Sequence, residues 1–158
     1  MPTSLQQKSS PVSVIAAFFI VCIAPFAATG SAHAAEVAKI GDLEMHSIAV
    51  PTTELSPEAA KEYNVTPTAG RGLLTVALIK KGHHGEASSV AGQVYAGAVT
   101  QGNRLFSIPI REVHHADQVY YLGEFRVEAP DTLRFLVNAN VLGKPMKVEF
   151  SQIFSVAN

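Results

Sequence analysis

Residues 133–151, with the sequence LRFLVNANVLGKPMKVEFS, decide the fold class. Apolar side chains alternate with mostly polar ones in both halves of this stretch, before and after Gly143. Successive side chains of a β-strand point to opposite faces of a sheet, so a period of two is typical of strands with one buried face. Glycine commonly marks a turn. The stretch therefore predicts two strands joined by a short turn.

The same period recurs through most of the chain before residue 133. The pattern predicts about seven strands in all, over residues 42–46, 73–79, 88–100, 104–111, 119–127, 133–141 and 146–151. Gly92 and Gly97 predict that the strand over 88–100 is twisted or broken, and Pro109 predicts an edge or a bulge in the strand over 104–111. The run over 73–79 is almost continuously apolar, which favours a strand covered on both faces.

One short helix is predicted at residues 57–63. Ser56 can accept a hydrogen bond from an amide of the first turn, and Pro57 suits the first helical position. Short strands without alternating helices predict an all-β antiparallel β-sandwich, immunoglobulin-like, with a closed barrel as the alternative. The predicted core consists of Leu73, Val76, Leu78, Phe106, Ile108, Ile110, Tyr121, Phe125, Phe135, Val137, Val148 and Phe150.

The first 34 residues read as a separate segment. A polar start with one lysine precedes the apolar run VSVIAAFFIVCIAPFAA at residues 12–28, and Ala32-His33-Ala34 follows. This order is typical of a secretory signal peptide cleaved after Ala34, and an uncleaved membrane anchor is the alternative. Cleavage leaves residues 35–158 as a single β-sandwich domain with no further membrane span, and it removes the chain's one cysteine, Cys22.

Charge and motifs exclude several function classes. Lysine and arginine number 12 against 13 aspartates and glutamates, a balance that disfavours nucleic-acid binding. The sequence contains neither a Gly-x-Ser-x-Gly motif nor a glycine-rich phosphate loop. We therefore predict a protein that is not an enzyme and that uses no cofactor.

Adjacent histidines supply the main alternative, a copper or zinc site. The candidate ligands are His83, His84, His114 and His115. Adjacent side chains of a strand point to opposite faces, so each pair can chelate only from a turn or loop, and both pairs are predicted to lie in loops. In the pair Tyr120-Tyr121, we expect Tyr121 in the core and Tyr120 at an edge with its hydroxyl in water.

Taken together, these motifs resemble a known family. The segments that carry the resemblance are Gly41–His46, Leu55–Ala60 with Tyr63, Arg71–Leu74, Arg111–Val113, Tyr120–Leu122, Leu133–Phe135 and Phe150–Gln152. Their order and spacing resemble the bacterial family catalogued as domain of unknown function 4426. The chain departs from the pattern at Ser47, at residues 51–53, and at His115 and Asp117. These departures argue against a family-wide metal role for His114 and His115.

The resemblance implies an exported protein of Gram-negative type, located in the periplasm, with no assigned activity. We expect a binding or envelope-associated module whose partner is a protein or another envelope component. Strand addition at an open sheet edge is the expected mode. The polar positions proposed for binding are His46, Arg111, Glu112 and Tyr120.

Overall fold

Ten β-strands lie within residues 35–155, the part of the chain that the computed structural model describes. In chain order they are β1 (Glu36–Ile40), β2 (Leu43–Pro51), β3 (Arg71–Lys81), β4 (Ala87–Ser89), β5 (Gln93–Val99), β6 (Leu105–Ile108), β7 (Arg111–His115), β8 (Gln118–Arg126), β9 (Asp131–Val141) and β10 (Lys144–Phe154). The predicted number of about seven is too low. It lacked β1 and, apart from Arg111, β7, and the predicted strand over 88–100 is divided into β4 and β5.

The predicted helix is confirmed as α1 (Pro57–Glu62). The Ser56 hydroxyl accepts a hydrogen bond from the Ala59 amide at 3.2 Å, so Ser56 is the predicted N-cap. A 3-10 turn, Thr52–Glu54, precedes the helix. The predicted signal peptide lies outside the described residues. No helix within residues 35–155 has the length and hydrophobicity needed to cross a membrane.

The strands form two antiparallel sheets, which confirms the β-sandwich. The first sheet has the order β1-β2-β3-β8-β7, with β4 also paired to β3, and the second has the order β10-β9-β5-β6. This arrangement of two sheets is consistent with an immunoglobulin-like fold. The closed-barrel alternative is wrong, because the described strands divide into two separate sheets.

Within the described residues the chain changes sheet between β4 and β5, between β6 and β7 and between β8 and β9. Between β4 and β5, a Cβ atom on Gly92 would lie only 2.8 Å from the Asn140 carbonyl oxygen and from Leu78 Cδ1, so the crossing needs a glycine. The Gly92 amide donates to the Tyr121 hydroxyl at 2.8 Å. Pro109 lies between β6 and β7, where the chain leaves the second sheet for the first.

The main core lies between the two sheets and confirms the prediction closely. All predicted core side chains are buried except Phe106, Ile110 and Phe150, which are partly buried against the same core. Of the buried ones, only Leu73 lies outside the main core, on the other face of the first sheet. Phe135 is fully buried and has Phe125, Phe150 and Phe154 around it.

A second, smaller cluster covers the other face of the first sheet. This outer cluster consists of Val65, Leu73, Ala77, Tyr120 and Leu122. Residues 52–68, which include α1, lie over it and contribute Leu55 and Tyr63 to its margin. The buried Thr52 hydroxyl anchors this segment, because it accepts a hydrogen bond from the Thr68 amide at 3.0 Å. Strand β3 is therefore covered on both faces, as predicted.

Candidate functional site

Three of the four predicted binding residues share the outer face of the first sheet. Strand register places His46, Ala77, Tyr120 and Val113 in one row across β2, β3, β8 and β7. Arg111 is two residues from Val113 on β7 and so lies on the same face. Glu112 lies in the row of Tyr121, which belongs to the main core, and so it faces the opposite way. The predicted set is therefore divided between two faces.

Arg111 and Tyr120 both contact Tyr63, at the end of α1. The Arg111 guanidinium donates through Nη2 to the carbonyl oxygen of Tyr63, the residue that ends the helix. The Tyr63 and Tyr120 rings lie with their centroids 6.1 Å apart. The hydrogen bond from Arg111 holds the end of α1 against β7, at the margin of the outer cluster.

The expectation for Tyr120 was wrong, whereas that for Tyr121 is confirmed. Tyr120 is only 5% exposed, because residues 52–68 cover it, and its hydroxyl donates to Gln118 Oε1. Burial, with the nearby Glu62 carboxylate as a second cause, raises the pKa of the Tyr120 phenol above its usual value. The phenol therefore stays neutral and serves in packing and hydrogen bonding.

Sequence reasoning missed Glu62 and the contact that it makes. Its Oε1 lies 3.3 Å from Nδ1 of His115, and its side chain is 20% exposed. The pair adds a second link between α1 and β7. No motif marked Glu62, since only the folded chain brings a helix residue next to a strand residue 53 positions later.

The histidine pairs do not converge. His114 and His115 were expected in a loop, but they end β7, because the turn between β7 and β8 uses only Ala116 and Asp117. Their side chains therefore diverge, and His114 Nε2 lies 2.6 Å from Glu112 Oε1.

The other pair, His83 and His84, lies in the turn after β3, as expected. His83 lines an open cleft of about 500 Å³ together with Asp42, Lys80, Lys81 and Glu86. Within residues 35–155, no group of three or more histidine, cysteine, aspartate or glutamate side chains is placed to hold a metal ion. The copper or zinc alternative receives no support from this arrangement.

His46 belongs to a charged group at the far side of the outer face. Its Nε2 lies 3.0 Å from Oε2 of Glu44, whose other oxygen is 3.0 Å from Lys39 Nζ. Lys81 Nζ lies 3.9 Å from the same carboxylate. The hydrogen bond from Lys39, followed by that from His46, holds the pKa of Glu44 below its usual value of 4.5.

Replacing Glu44 with glutamine is expected to lower the free energy of unfolding by about 1 kcal/mol at pH 7. A carboxylate whose pKa is depressed in the folded state stabilises the fold above its unfolded pKa. That stabilising contribution is lost as the pH falls through the pKa of the carboxylate in the folded state. The difference from wild type should therefore shrink below pH 4.5 and vanish at lower pH.

Urea unfolding at pH 7 and pH 3 measures this difference. Glu128→Gln is the matched control, because that side chain is 85% exposed in a 3.9 Å pair with Arg104. It is expected to change the free energy of unfolding by less than about 0.5 kcal/mol at either pH. If Glu44→Gln lowers the free energy of unfolding equally at both pH values, the pKa of Glu44 is not lowered in the folded state.

Strand β7 has one free edge among the described residues, because it pairs only with β8. The direction of its backbone groups follows from β8. The Val119 amide donates to the Ser89 hydroxyl at 2.9 Å, on the side of β8 away from β7. The backbone N–H and C=O groups of successive residues point to opposite sides of a strand. The two residues on either side of Val119 in β8 therefore form hydrogen bonds with β7. Val119 and His114, which lie opposite each other in the register, do not bond to each other. The N–H and C=O groups of Glu112 and His114 therefore point out of the free edge.

The side chains of β7 give this edge two different faces. On the outer face, Arg111 and His115 are exposed, and Val113 between them is partly buried against the outer cluster. On the inner face, Glu112 and His114 are exposed and paired with each other. The candidate functional site is this edge together with the end of α1.

Comparison with known proteins places the chain in a family. A family model described as "Domain of unknown function (DUF4426)" matches residues 37–156. The chain belongs to the DUF4426 family. Membership confirms the resemblance seen in the sequence, and the match spans both sheets and the β7 edge of this DUF4426 protein.

A solved DUF4426 structure has the same fold. The crystal structure of a DUF4426 family protein from Pseudomonas aeruginosa PAO1 is similar with a TM-score of 0.65 and 21% identity, over 78% of this chain and 97% of that chain. At this identity the likeness concerns the fold alone. No curated protein matches the chain.

Proposed function

We propose that this DUF4426 protein is exported to the periplasm and acts there as a non-enzymatic binding module. It captures an extended segment of a partner protein of the envelope by adding that segment to the free edge of β7. The observation that carries the proposal is the edge of β7 with which no other strand of residues 35–155 pairs, where the backbone groups of Glu112 and His114 point outward. Strand addition uses such groups for affinity and the neighbouring side chains for specificity.

The side chains around the edge contact one another or the end of α1. Glu112 pairs with His114, and Glu62 lies beside His115. Arg111 donates to the backbone of Tyr63. These contacts hold the side chains in place beside the edge, and a preformed site loses less conformational entropy when a ligand binds.

Export is supported by the order of residues 1–34, with a polar start, an apolar run and Ala32-His33-Ala34. The test fuses residues 1–40 to an alkaline phosphatase that lacks its own leader and is active only after export. A fusion that begins at residue 35 is the control. We expect activity from the first fusion alone, and an inactive first fusion would contradict export.

Proline at position 114 is expected to abolish capture of the partner without unfolding the domain. The His114 amide points out of the edge, so His114→Pro removes a donor that β8 does not use, and proline is tolerated on edge strands. His114→Ala removes the side chain and keeps the amide, which makes it the matched control. A photo-crosslinking amino acid at position 112, in cells that express the full chain, reports capture.

We expect a specific crosslinked product that survives His114→Ala and disappears with His114→Pro. A crosslinker in place of Lys147, on the outer face of the second sheet, controls for nonspecific contact. Thermal unfolding of each purified variant checks the fold. Crosslinks that persist with His114→Pro, or that match those from position 147, would contradict strand addition at β7.

A further inference from the structure

The register of β7 defines which side chains an added strand presents to it. An antiparallel strand would form its hydrogen bonds with Glu112 and His114, whose backbone groups point outward. In the added strand, the residue between the two that bond to Glu112 and His114 then lies opposite Val113, on the outer face. The residue two positions later lies opposite Arg111, because the added strand runs in the reverse direction.

The position opposite Val113 is apolar in character. Val113 is partly buried and packs against the outer cluster, and Tyr63 lies at the same margin. Pairs that are not hydrogen-bonded bring their side chains closest together across a sheet. A β-branched side chain opposite Val113 would extend the outer cluster by one residue and shield Val113 from water.

The position opposite Arg111 is suited to a carboxylate. The Arg111 side chain is exposed, and its Nη2 atom donates to the Tyr63 carbonyl oxygen, which restricts its orientation. A guanidinium has five N–H donors, so donors remain for a ligand. Arginine held in this way matches the two oxygens of a carboxylate better than it matches a neutral group.

We propose that the segment recognised at β7 is an extended strand with an apolar, β-branched side chain opposite Val113 and, two residues later, an acidic side chain opposite Arg111. This inference rests on the proposed function, because it names the chemistry of the captured segment. The partner is thus a protein with an exposed Val-x-Asp-like stretch in extended conformation.

A second copy of the chain fits the same edge less well. Symmetric antiparallel pairing of two β7 strands would put Val113 opposite its own copy, and Glu112 opposite His114 of the other copy. It would also put His115 opposite Arg111, and the carboxylate beside His115, that of Glu62, is already paired with that imidazole. The guanidinium would then face a histidine in place of the carboxylate that its position favours.

The test uses three fluorescein-labelled nonapeptides of threonine and serine, each with a different central tripeptide. One carries Val-Thr-Asp, the second Val-Thr-Lys and the third the reversed order Asp-Thr-Val. Fluorescence anisotropy with residues 35–158 measures binding, and the proteins are wild type, Arg111→Glu and His114→Pro. Exchanging an opposite-charge cross-strand pair for a like-charge pair is expected to weaken binding by about five- to twenty-fold.

We expect wild type to bind Val-Thr-Asp more tightly than Val-Thr-Lys by that factor, and Arg111→Glu to reverse the order. His114→Pro should bind neither peptide. A reversal of preference cannot result from general destabilisation, which would weaken binding of both peptides together. Tightest binding of the reversed sequence Asp-Thr-Val would overturn the proposed register.

Other outcomes separate this inference from the proposed function. Equal binding of all three peptides, lost with His114→Pro, overturns the acidic motif and leaves strand addition standing. The absence of binding by any peptide overturns the motif, and the crosslinking at position 112 then decides strand addition separately. Sedimentation that shows a wild-type dimer, lost with His114→Pro, would assign the edge to a second copy and overturn the inference.

Discussion

Replacing Phe135 with alanine is expected to lower the free energy of unfolding by about 3–5 kcal/mol. The Phe135 side chain is fully buried between the two sheets. Its ring stacks on Phe150 at 5.0 Å and meets Phe125 edge-on at 5.2 Å, and Phe154 lies 6.3 Å away, all between ring centroids. Alanine would remove the buried ring and leave a cavity whose rigid aromatic neighbours collapse only partly.

Urea unfolding followed by circular dichroism measures this loss. Tyr95→Ala is the matched control, because it removes a ring that is 67% exposed and should cost less than about 0.5 kcal/mol. Phe135→Leu keeps most of the volume and gives a graded variant, expected to lose about 1–2 kcal/mol, in case the alanine variant does not fold. Equal losses for Phe135→Ala and Tyr95→Ala would show that this ring is not central to the core.

Introducing valine at Gly123 is expected to destabilise the protein by about 3 kcal/mol. Gly123 lies on β8, under the segment that carries the chain from β6 to β7. A Cβ atom there would lie 2.5 Å from Ile108 Cγ2, 2.8 Å from Ile110 Cδ1 and 3.2 Å from the Pro109 carbonyl oxygen. The first two distances are too short for a real Cβ contact, and the Pro109 oxygen would have to give by a few tenths of an ångström, so the side chains of Ile108 and Ile110 must shift.

Gly102→Ala is the control for this substitution. The nearest atom to a Cβ at position 102 is Thr100 Oγ1 at 3.7 Å, an ordinary contact. The free energy of unfolding of Gly102→Ala should differ from that of wild type by less than about 0.5 kcal/mol. Because Ile108 and Ile110 lie directly before β7, Gly123→Val should also weaken peptide binding at the β7 edge. A valine variant as stable as Gly102→Ala would contradict the close approach.

Within residues 35–155, two of the three places where the chain changes sheet carry a local sequence signal. Gly92 predicted a twisted or broken strand and Pro109 an edge or a bulge, and the chain crosses between sheets next to each of them, whereas the third crossing lies between β8 and β9. A glycine permits a close backbone approach, and a proline cannot donate within a ladder, so both residues carry local information. Strand β1 was missed, because five residues at the start of the domain showed no clear alternation of exposed and buried types.

The candidate site was only partly predictable. Arg111 and Tyr120 were selected from the sequence, and both lie where α1 meets the first sheet. Glu112 was grouped with them, but it lies on the opposite face, as strand alternation requires for the neighbour of Arg111. Glu62 was not selected, since its contact with His115 joins two elements that are distant in the chain.

By itself, the sequence determined that the domain is an antiparallel β-sandwich, that the strand over 88–100 is broken, and most of the residues that form its core. These properties depend on side-chain alternation and on glycine and proline, which act over a few neighbouring residues. Only the tertiary structure decided that β7 has a free edge among the described strands, that Glu112 and His114 direct their backbone groups out of it, and that residues 52–68 bury Tyr120. Those properties depend on which strands pair and on what covers each face, and these are contacts between residues far apart in the chain.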